Sequence, residues 1–519
     1  MRPRFSVVIT FGGEQVGRLD LLTACIASVT AQSFDDWELC ACGDLAGIAA
    51  RRTGRALVEA PSGEFVALVQ GADRLDPMAL AATDDALSAD DLIDVVYTDE
   101  ELVEEHGEVI DTFLKPDWSP ERLRSHDYLG NLLVVRRSLF VDIGGSELVR
   151  SGSSRHDLAL RVTERARRVH HVPEVLYSRH LDGAASRDGG RSPGLVEADG
   201  DAVADHLRRA GIPGTVEKAP GATRLRVRRR VDDRPLVSVV VPTVGTARAV
   251  WGIERPLIYG CLQSLLQVTD YPRLEVIVVV DPSTPSDVVA TLKRLDVTLV
   301  AADDPFNFSS RINLGAAQAS GLHLLLLNDD VLIEQPDWLT TMVGFTHDAD
   351  VGAVGARLLY ADGTLQHAGI VCNVQPLHIF NGFAADDPGP FGLLQVDREV
   401  SAVTGACLLT PRAVFDEIGG LPEHFAVAFN DLEYCLRLRA TGRRIVWTPH
   451  ATLYHFESQT RGRSVSQAEI DELYARWHDE LHHDPYGNPN FAPRQAVWLP
   501  SWAADASEDL RRRLRNGGR

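Results

Sequence analysis

The chain begins twice. "RPRFSVVIT" at its start returns as "RPLVSVVVPT" from Arg234, each an apolar strand rich in β-branched residues. "CIASVTAQSFDDWELCACGD" is followed later by "CLQSLLQVTDYPRLEVIVVVD", in both cases an amphipathic helix, a turn and a strand that closes on Asp44 or Asp281. "GEFVALVQGADRL" pairs with "GLHLLLLNDDVLI", and "VVRRSLFVDIGG" with "LLTPRAVFDEIGG". Order and approximate spacing persist through all four blocks, which predicts two copies of one folding unit. Within each copy short apolar strands alternate with segments of helical period, so each is expected to be an α/β unit with a mostly parallel sheet covered by helices. Fully apolar runs such as Val276–Val280 and Leu324–Leu327 fit central strands covered on both faces.

A chain of 519 residues is too long for one core. The expected division is residues 1–210, a join at 211–235, a second copy at 236–480 and a tail at 481–519. The join mixes Gly, Pro and charge, and its "TRLRVRRRV" alternates as an edge strand does; the tail closes on the basic "EDLRRRLRNGGR". Lys and Arg number 52 against 73 Asp and Glu, a net charge of −21, which excludes coating nucleic acid or an anionic membrane as the work of the whole chain. The seven cysteines are scattered through apolar surroundings and read as buried thiols of a reducing compartment. Cys40 and Cys42 have no second pair at ligand spacing, so they are not a zinc motif. "MRPRFSVVIT" lacks a signal-peptide core, and no run approaches the roughly 20 apolar residues that cross a bilayer. The expected location is cytoplasmic, with membrane contact peripheral at most, and the basic tail is read as a solvated face.

Ligands of parallel α/β sheets bind beyond the carboxyl ends of the strands. Asp281, in "VIVVVDPST", and Asp329-Asp330, in "LLLLNDDV", occupy two such ends. A lone Asp there usually starts a turn or caps a helix. Two adjacent carboxylates repel each other, and a divalent cation with its preference for hard oxygen ligands relieves that repulsion. "VGTARAV" lacks the GxGxxG spacing, which argues against a dehydrogenase.

With "VSVVVPT", "FNFSSRINLGAAQASG", "LLLLNDDV", "DGTLQHAGIV", "SAVTGACLLTPRAVFDEIGG" and "FNDLEYCLRLRATGRRIVWTPHATLYHFES" in this order, the second copy resembles family 2 glycosyltransferases of the GT-A fold. The whole chain, from Ser6 to about Asn490, is similar to bacterial tandem proteins that build surface polysaccharides, rhamnosyltransferase-like members among them. The resemblance implies two tandem GT-A domains, nucleotide-diphospho-sugar transferase-like. It places the family's DxD-type motif on Asn328-Asp329-Asp330, its first position changed to Asn, with Asp330 as a ligand of Mg2+ or Mn2+ and Asp329 on the donor. Asp281, Thr243 and Asn313 fall where the family lines the donor nucleotide's pocket, Asp431 on its acidic catalytic base, and His455 on its late metal- or diphosphate-contacting histidine. Such a cation stabilises the departing diphosphate, while a carboxylate base activates the acceptor hydroxyl. One base with in-line attack implies inversion.

Other residues read as structural. Glu433 is taken as a helix-surface acid, His367 as a hydrogen-bonded turn residue, His450 as exposed, and Trp338, Trp447 and Phe429 as core packing. Gly405 serves either a tight turn or close approach of the acceptor.

The first copy acts as an internal control. Matched by sequence, Gln70 stands opposite Asn328, Ala72 opposite Asp330, Arg155 opposite Asp431, Asp157 opposite Glu433 and Ser178 opposite His455. Metal carboxylate, base and histidine are all replaced, although Asp44 remains at the place of Asp281. The acid run Glu100–Glu105 reads as a solvated loop. Residues 1–210 are thus expected to be a degenerate, non-catalytic domain. The expected function is a metal-dependent inverting glycosyltransferase that moves sugar from a nucleotide-diphosphate donor to a saccharide or lipid-linked saccharide acceptor. The competing readings are a non-catalytic nucleotide or saccharide binder and, more remotely, a sugar nucleotidyltransferase, for which "PTVGTARAVWG" offers little of the required phosphate loop.

Overall fold

The computed structural model describes residues 2–10, 18–41, 60–104, 107–151, 154–181, 193–218, 224–426, 428–456 and 465–503. Asp44, Cys42, Glu105 and the basic segment 508–519 lie outside the described residues. The chain divides into two compact units: Met1–Val227 with Gly487–Phe491 and Pro500–Arg519, and Arg228–Tyr486 with Ala492–Leu499. Part of the stretch expected as a tail therefore belongs to each unit.

In the second unit the sheet runs in the order Thr298–Ala301, Leu274–Val280, Val237–Thr243, His323–Leu327, Cys407–Pro411, Val351–Leu359, Arg444–His455, Val331–Ile333. In the first it runs Trp37–Ala41, Phe5–Thr10, Phe65–Gln70, Leu133–Arg136, Ile93–Val103, Arg168–His180, Arg74–Leu75. Apart from the extra edge strand Thr298–Ala301, corresponding strands occupy corresponding places, so the sequence repeat is a repeat of topology.

Both sheets carry the expected parallel pairs and add antiparallel ones. Val237–Thr243 is parallel to Leu274–Val280 and to His323–Leu327. Parallel neighbours need crossover connections, and the helices Leu257–Val268, Ser286–Leu292 and Phe308–Ala316 supply them. Cys407–Pro411 then enters antiparallel to both His323–Leu327 and Val351–Leu359. It arrives after a long excursion rather than by a single helical crossover. The alternating "TRLRVRRRV" is likewise no edge of either sheet; its Arg226–Arg229 pairs with Gly214–Glu217 in a separate two-stranded ladder.

Successive side chains of one strand point to opposite faces, and the core of the second unit follows that rule. Val240, Leu324, Leu326 and Leu408 join one buried cluster, and Val239, Val241, Leu325, Leu327 and Leu409 join another. Helix Leu257–Val268 buries Leu257, Ile258, Cys261, Leu262 and Leu265, the one-sided spacing of a helix lying on a sheet. Trp338 and Trp447 are fully buried, as core residues should be. The six described cysteines are free and buried.

Four of the structural readings need correction. Glu433 is buried, not a surface acid, because it faces inward from helix Asn430–Ala440 and pairs with Arg437 at 2.7 Å. His367 is no turn residue: it is fully buried in strand Leu365–His367, where its Nδ1 meets Nδ1 of His378 at 3.0 Å. Glu100 lies inside strand Ile93–Val103 and is buried beside Lys115, whose Nζ is 3.1 Å away, so the acid run does not begin as a solvated loop. His450 is half-buried rather than exposed.

Candidate active site

Strand Val237–Thr243 ends on Thr243, whose hydroxyl donates to Oδ2 of Asp329 at 2.6 Å. The carbonyl of Thr243 accepts from the backbone N–H of Asp281 at 3.1 Å. Three predicted residues are thereby joined at adjoining strand ends. Burial opposes ionisation of Asp281, but hydrogen bonds from the Ser283 N–H, the Ser283 hydroxyl and Arg311 outweigh it and hold its pKa below the usual carboxylate range. Arg311 is itself buried and reaches Asp281 Oδ2 at 3.0 Å and Asp304 Oδ1 at 2.6 Å. This arginine, in "SSRINLG", is not among the residues that the sequence pointed to. Its signal was a charge inside an otherwise small and apolar helix face. Asn313, two residues on, directs its amide to Leu421 O, Leu421 N and Glu423 Oε1, at 2.8–2.9 Å, and so anchors that loop.

Beyond Leu327 the chain turns sharply. Asn328 N–H donates to Ala406 O at 3.0 Å, and Val331 opens a strand whose ladder partner is His455. This places His455 Nε2 3.1 Å from Asp330 Oδ1 and 3.2 Å from Asn328 Nδ2. Phe456 N–H closes the arrangement on Asp330 O at 3.0 Å. Two residues 125 apart in number, 455 − 330, are neighbours because strand Arg444–His455 ends where Val331–Ile333 begins.

Asp431 stands in the first turn of helix Asn430–Ala440. Its Oδ2 accepts from Gly405 N–H and its Oδ1 from Leu432 N–H, each at 2.8 Å. Gly405 adjoins Ala406, the acceptor for Asn328, so one short segment touches both the Asn328–Asp330 turn and Asp431. The residue before this helix, Phe429, has φ 61, a left-handed conformation that is an outlier for a bulky side chain. Trp251, unnoticed in the sequence, shares that property with φ 47 at the turn between Ala247–Val250 and Ile253–Pro256. Its ring packs edge-on against Tyr454 and Phe456, the two neighbours of His455, with centroids 5.1 and 5.3 Å apart.

The first unit fills the corresponding places differently. Arg161 bonds Asp157 at 2.9 Å as Arg437 bonds Glu433, which registers the two helices and puts Arg155 at the place of Asp431. Arg155 is paired with Asp127. Ser178 faces Arg74 as His455 faces Val331. The turn between is one residue longer, so the residue preceding the ladder is Asp73, not Ala72. A carboxylate is therefore present at the place of Asp330, contrary to the sequence match. Its oxygens are taken by the Tyr177 hydroxyl at 2.7 Å, Asn131 Nδ2 at 2.8 Å and His180 N–H at 2.9 Å.

Burial pushes Asp73 up from 3.8 to about 6 despite those bonds. A raised carboxyl contributes stability that is complete below its unfolded pKa and lost as pH rises through the folded one, here about 3 kcal/mol in all. Hydrogen exchange in strand Phe65–Gln70, corrected for its intrinsic pH dependence, is expected to quicken between about pH 4 and pH 7. Asp73→Asn should flatten that rise. Parallel profiles for the two proteins would contradict it.

The mixed α/β sheet thus gathers the carboxylates of Asp281 and Asp329 at adjoining strand ends, with Asp330 in the turn beside them. Residues 235–479 match the family described as glycosyltransferase like family 2. The O-antigen biosynthesis protein RfbC of Myxococcus xanthus is 36% identical over 514 residues, covering 90% of this chain and 39% of that protein. The uncharacterized protein y4gI of Sinorhizobium fredii is 34% identical over 517 residues, covering 91% of this chain and 56% of its own length. An N-acetylglucosaminyl-diphospho-decaprenol L-rhamnosyltransferase of Mycobacterium tuberculosis is 31% identical over 67 residues, 13% of this chain and 22% of that enzyme. The chain thus spans 56% or less of each of these relatives.

Proposed function

We propose that the second unit is a metal-dependent, inverting glycosyltransferase that moves a sugar from a nucleotide-diphosphate donor to a saccharide acceptor in the synthesis of a surface polysaccharide. The observation that carries the metal is the approach of Asp330 Oδ1 to His455 Nε2 at 3.1 Å. The carboxylate of Asp330 is a donor of the hard-oxygen type that Mg2+ or Mn2+ prefers, and the His455 imidazole 3.1 Å away would be the second protein ligand. Among the described residues no group of three or more His, Cys, Asp and Glu could hold a metal.

Asp330 and His455 would hold the cation, which when bound supplies positive charge opposite the departing diphosphate. Asp281, kept ionised by Arg311 and Ser283, is offered to the donor's base or ribose. Thr243 orients Asp329 beside it. Asp431, steadied by two backbone N–H groups, takes the proton of the acceptor hydroxyl as that oxygen attacks the sugar carbon. A single base on the side of attack inverts the configuration. The first unit, with Asp73 saturated by hydrogen bonds and Arg155 in the base's place, serves as a non-catalytic partner of the second. The O-antigen role in RfbC's name supports the polysaccharide setting. A lipid-linked acceptor is supported by the name of the decaprenol rhamnosyltransferase and implies work at the cytoplasmic membrane face. Among the described residues no helix is long and apolar enough to cross a membrane.

The test is a screen of UDP-, GDP- and dTDP-sugars with purified full chain, scored by nucleoside diphosphate release. Release is expected from one donor class, to be lost in EDTA and restored by Mn2+ or Mg2+. Turnover indifferent to EDTA would sink the metal, and no turnover with any donor would favour a binding protein.

A further inference from the structure

Gln366 was not singled out in the sequence, yet both ends of its amide are on one residue. Its Oε1 lies 2.7 Å from His455 Nδ1, and its Nε2 donates to the carbonyl oxygen of the same histidine at 3.1 Å. A carbonyl oxygen accepts and never donates, so the NH2 end of the amide must face it. The amide cannot be turned round. Its oxygen, an acceptor alone, therefore faces Nδ1, and Nδ1 must carry the hydrogen. In a neutral imidazole the lone pair then resides on Nε2, the nitrogen that meets Asp330 Oδ1 at 3.1 Å and accepts from Asn328 Nδ2 at 3.2 Å.

The backbone is built to aim this side chain. Strand Leu365–His367 pairs with Val351–Leu359 through Leu358↔His367 and Leu359↔Leu365, with a register shift between the two pairs. Gln366 is the extra residue of that bulge. A bulge leaves one residue outside the ladder and redirects its side chain, a device common beside active sites. Gln366 is 3% exposed, and the strand's other polar residue, His367, is occupied with His378.

We propose that Gln366 is a positioning residue that holds His455 as its Nδ1–H tautomer, so that Nε2 offers its lone pair beside Asp330. The inference deepens the metal-site reading given above and rests on it for its functional meaning. Partners of this kind on a ligating histidine set the ring's orientation, and their loss typically weakens metal affinity 10–100-fold.

Two measurements separate the claims. Nitrogen-15-labelled histidine in the metal-free full chain, at alkaline pH and with His455→Ala for assignment, reports the tautomer without any cation. Wild type is expected to show Nδ1–H. Gln366→Leu, close in size and unable to accept, should lose that signature, whereas Gln366→Glu, which keeps an acceptor at Nδ1, should retain it. Mn2+ titration followed by electron paramagnetic resonance should give a Kd about 10–100-fold weaker for Gln366→Leu. Gln366→Glu should stay within a few-fold of wild type. An Nε2–H tautomer in wild type, or Gln366→Leu binding Mn2+ as tightly as wild type, overturns the proposal. If Gln366→Glu fails as Gln366→Leu does while both keep the wild-type circular dichroism, the amide merely tethers the backbone and the proposal is again overturned. A wild type that shows Nδ1–H and binds no Mn2+ upholds the tautomer assignment and removes the metal reading instead.

Discussion

Asp431→Asn is expected to lower sugar transfer about 1,000-fold, within the 100- to 10,000-fold range of a general base, which is about 4 kcal/mol in the barrier. The donor's KM should barely move, because Asp431 touches Gly405 and Leu432 rather than the Asp281–Arg311 cluster. Asparagine retains one acceptor oxygen for the two backbone N–H groups, so a loss of about 1–2 kcal/mol in folding stability accompanies the change. Far-ultraviolet circular dichroism should be unchanged at assay temperature. Rates measured at saturating donor over a range of acceptor concentrations isolate the chemical step. Full activity in Asp431→Asn would move the base elsewhere and undo the mechanism.

In the first unit Lys115→Met should destabilise by about 3–5 kcal/mol, the cost of leaving a buried charge without its partner. Lys115 Nζ is buried among Glu100 Oε2, Thr98 O and Leu129 O at 2.7–3.1 Å. Burial opposes ionisation of Glu100, but Lys115 and Arg179 more than offset it and keep the carboxylate charged. Removing the lysine takes away the nearer of its two cations and leaves the buried charge with Arg179 alone, 3.6 Å away. Replacing both, as Glu100→Leu with Lys115→Met, should recover most of the loss, because an apolar pair of similar volume avoids the desolvation of two ions. Urea unfolding of the full chain, with hydrogen exchange in strand Ile93–Val103 as the local probe, reads the effect. A double variant no better than the single one would show that the hydrogen bonds, not the charges, hold this region.

Much of the site could be read before any coordinates. Asp281, Asp329 and Asp330 were marked by standing where apolar strands end, and the repeat exposed Arg155 in the place of Asp431. The errors have a common origin. Glu433 and Glu100 were placed at the surface because charged side chains usually are; each is buried because a cation neutralises it, Arg437 one helical turn away and Lys115 15 residues along the chain. Asp73 was missed because the turn that carries it is one residue longer than its counterpart, an insertion that only ladder pairing reveals. His367 sat in a glycine-bearing segment that resembled a turn and is a strand. Gln366, Arg311 and Trp251 had no sequence signal strong enough to separate them from their neighbours.

Local chemistry along the chain was enough for the repeat, the α/β units and the strand ends that carry acids, since hydrophobic period and order survive without knowledge of distant partners. The meeting of Asp330 with His455, the grip of Gln366 on that histidine and the bridge from Gly405 to Asp431 were decided by the folded sheet alone. Strand register determines which residues far apart in number face each other, and a shift of one residue turns a ligand away from the site.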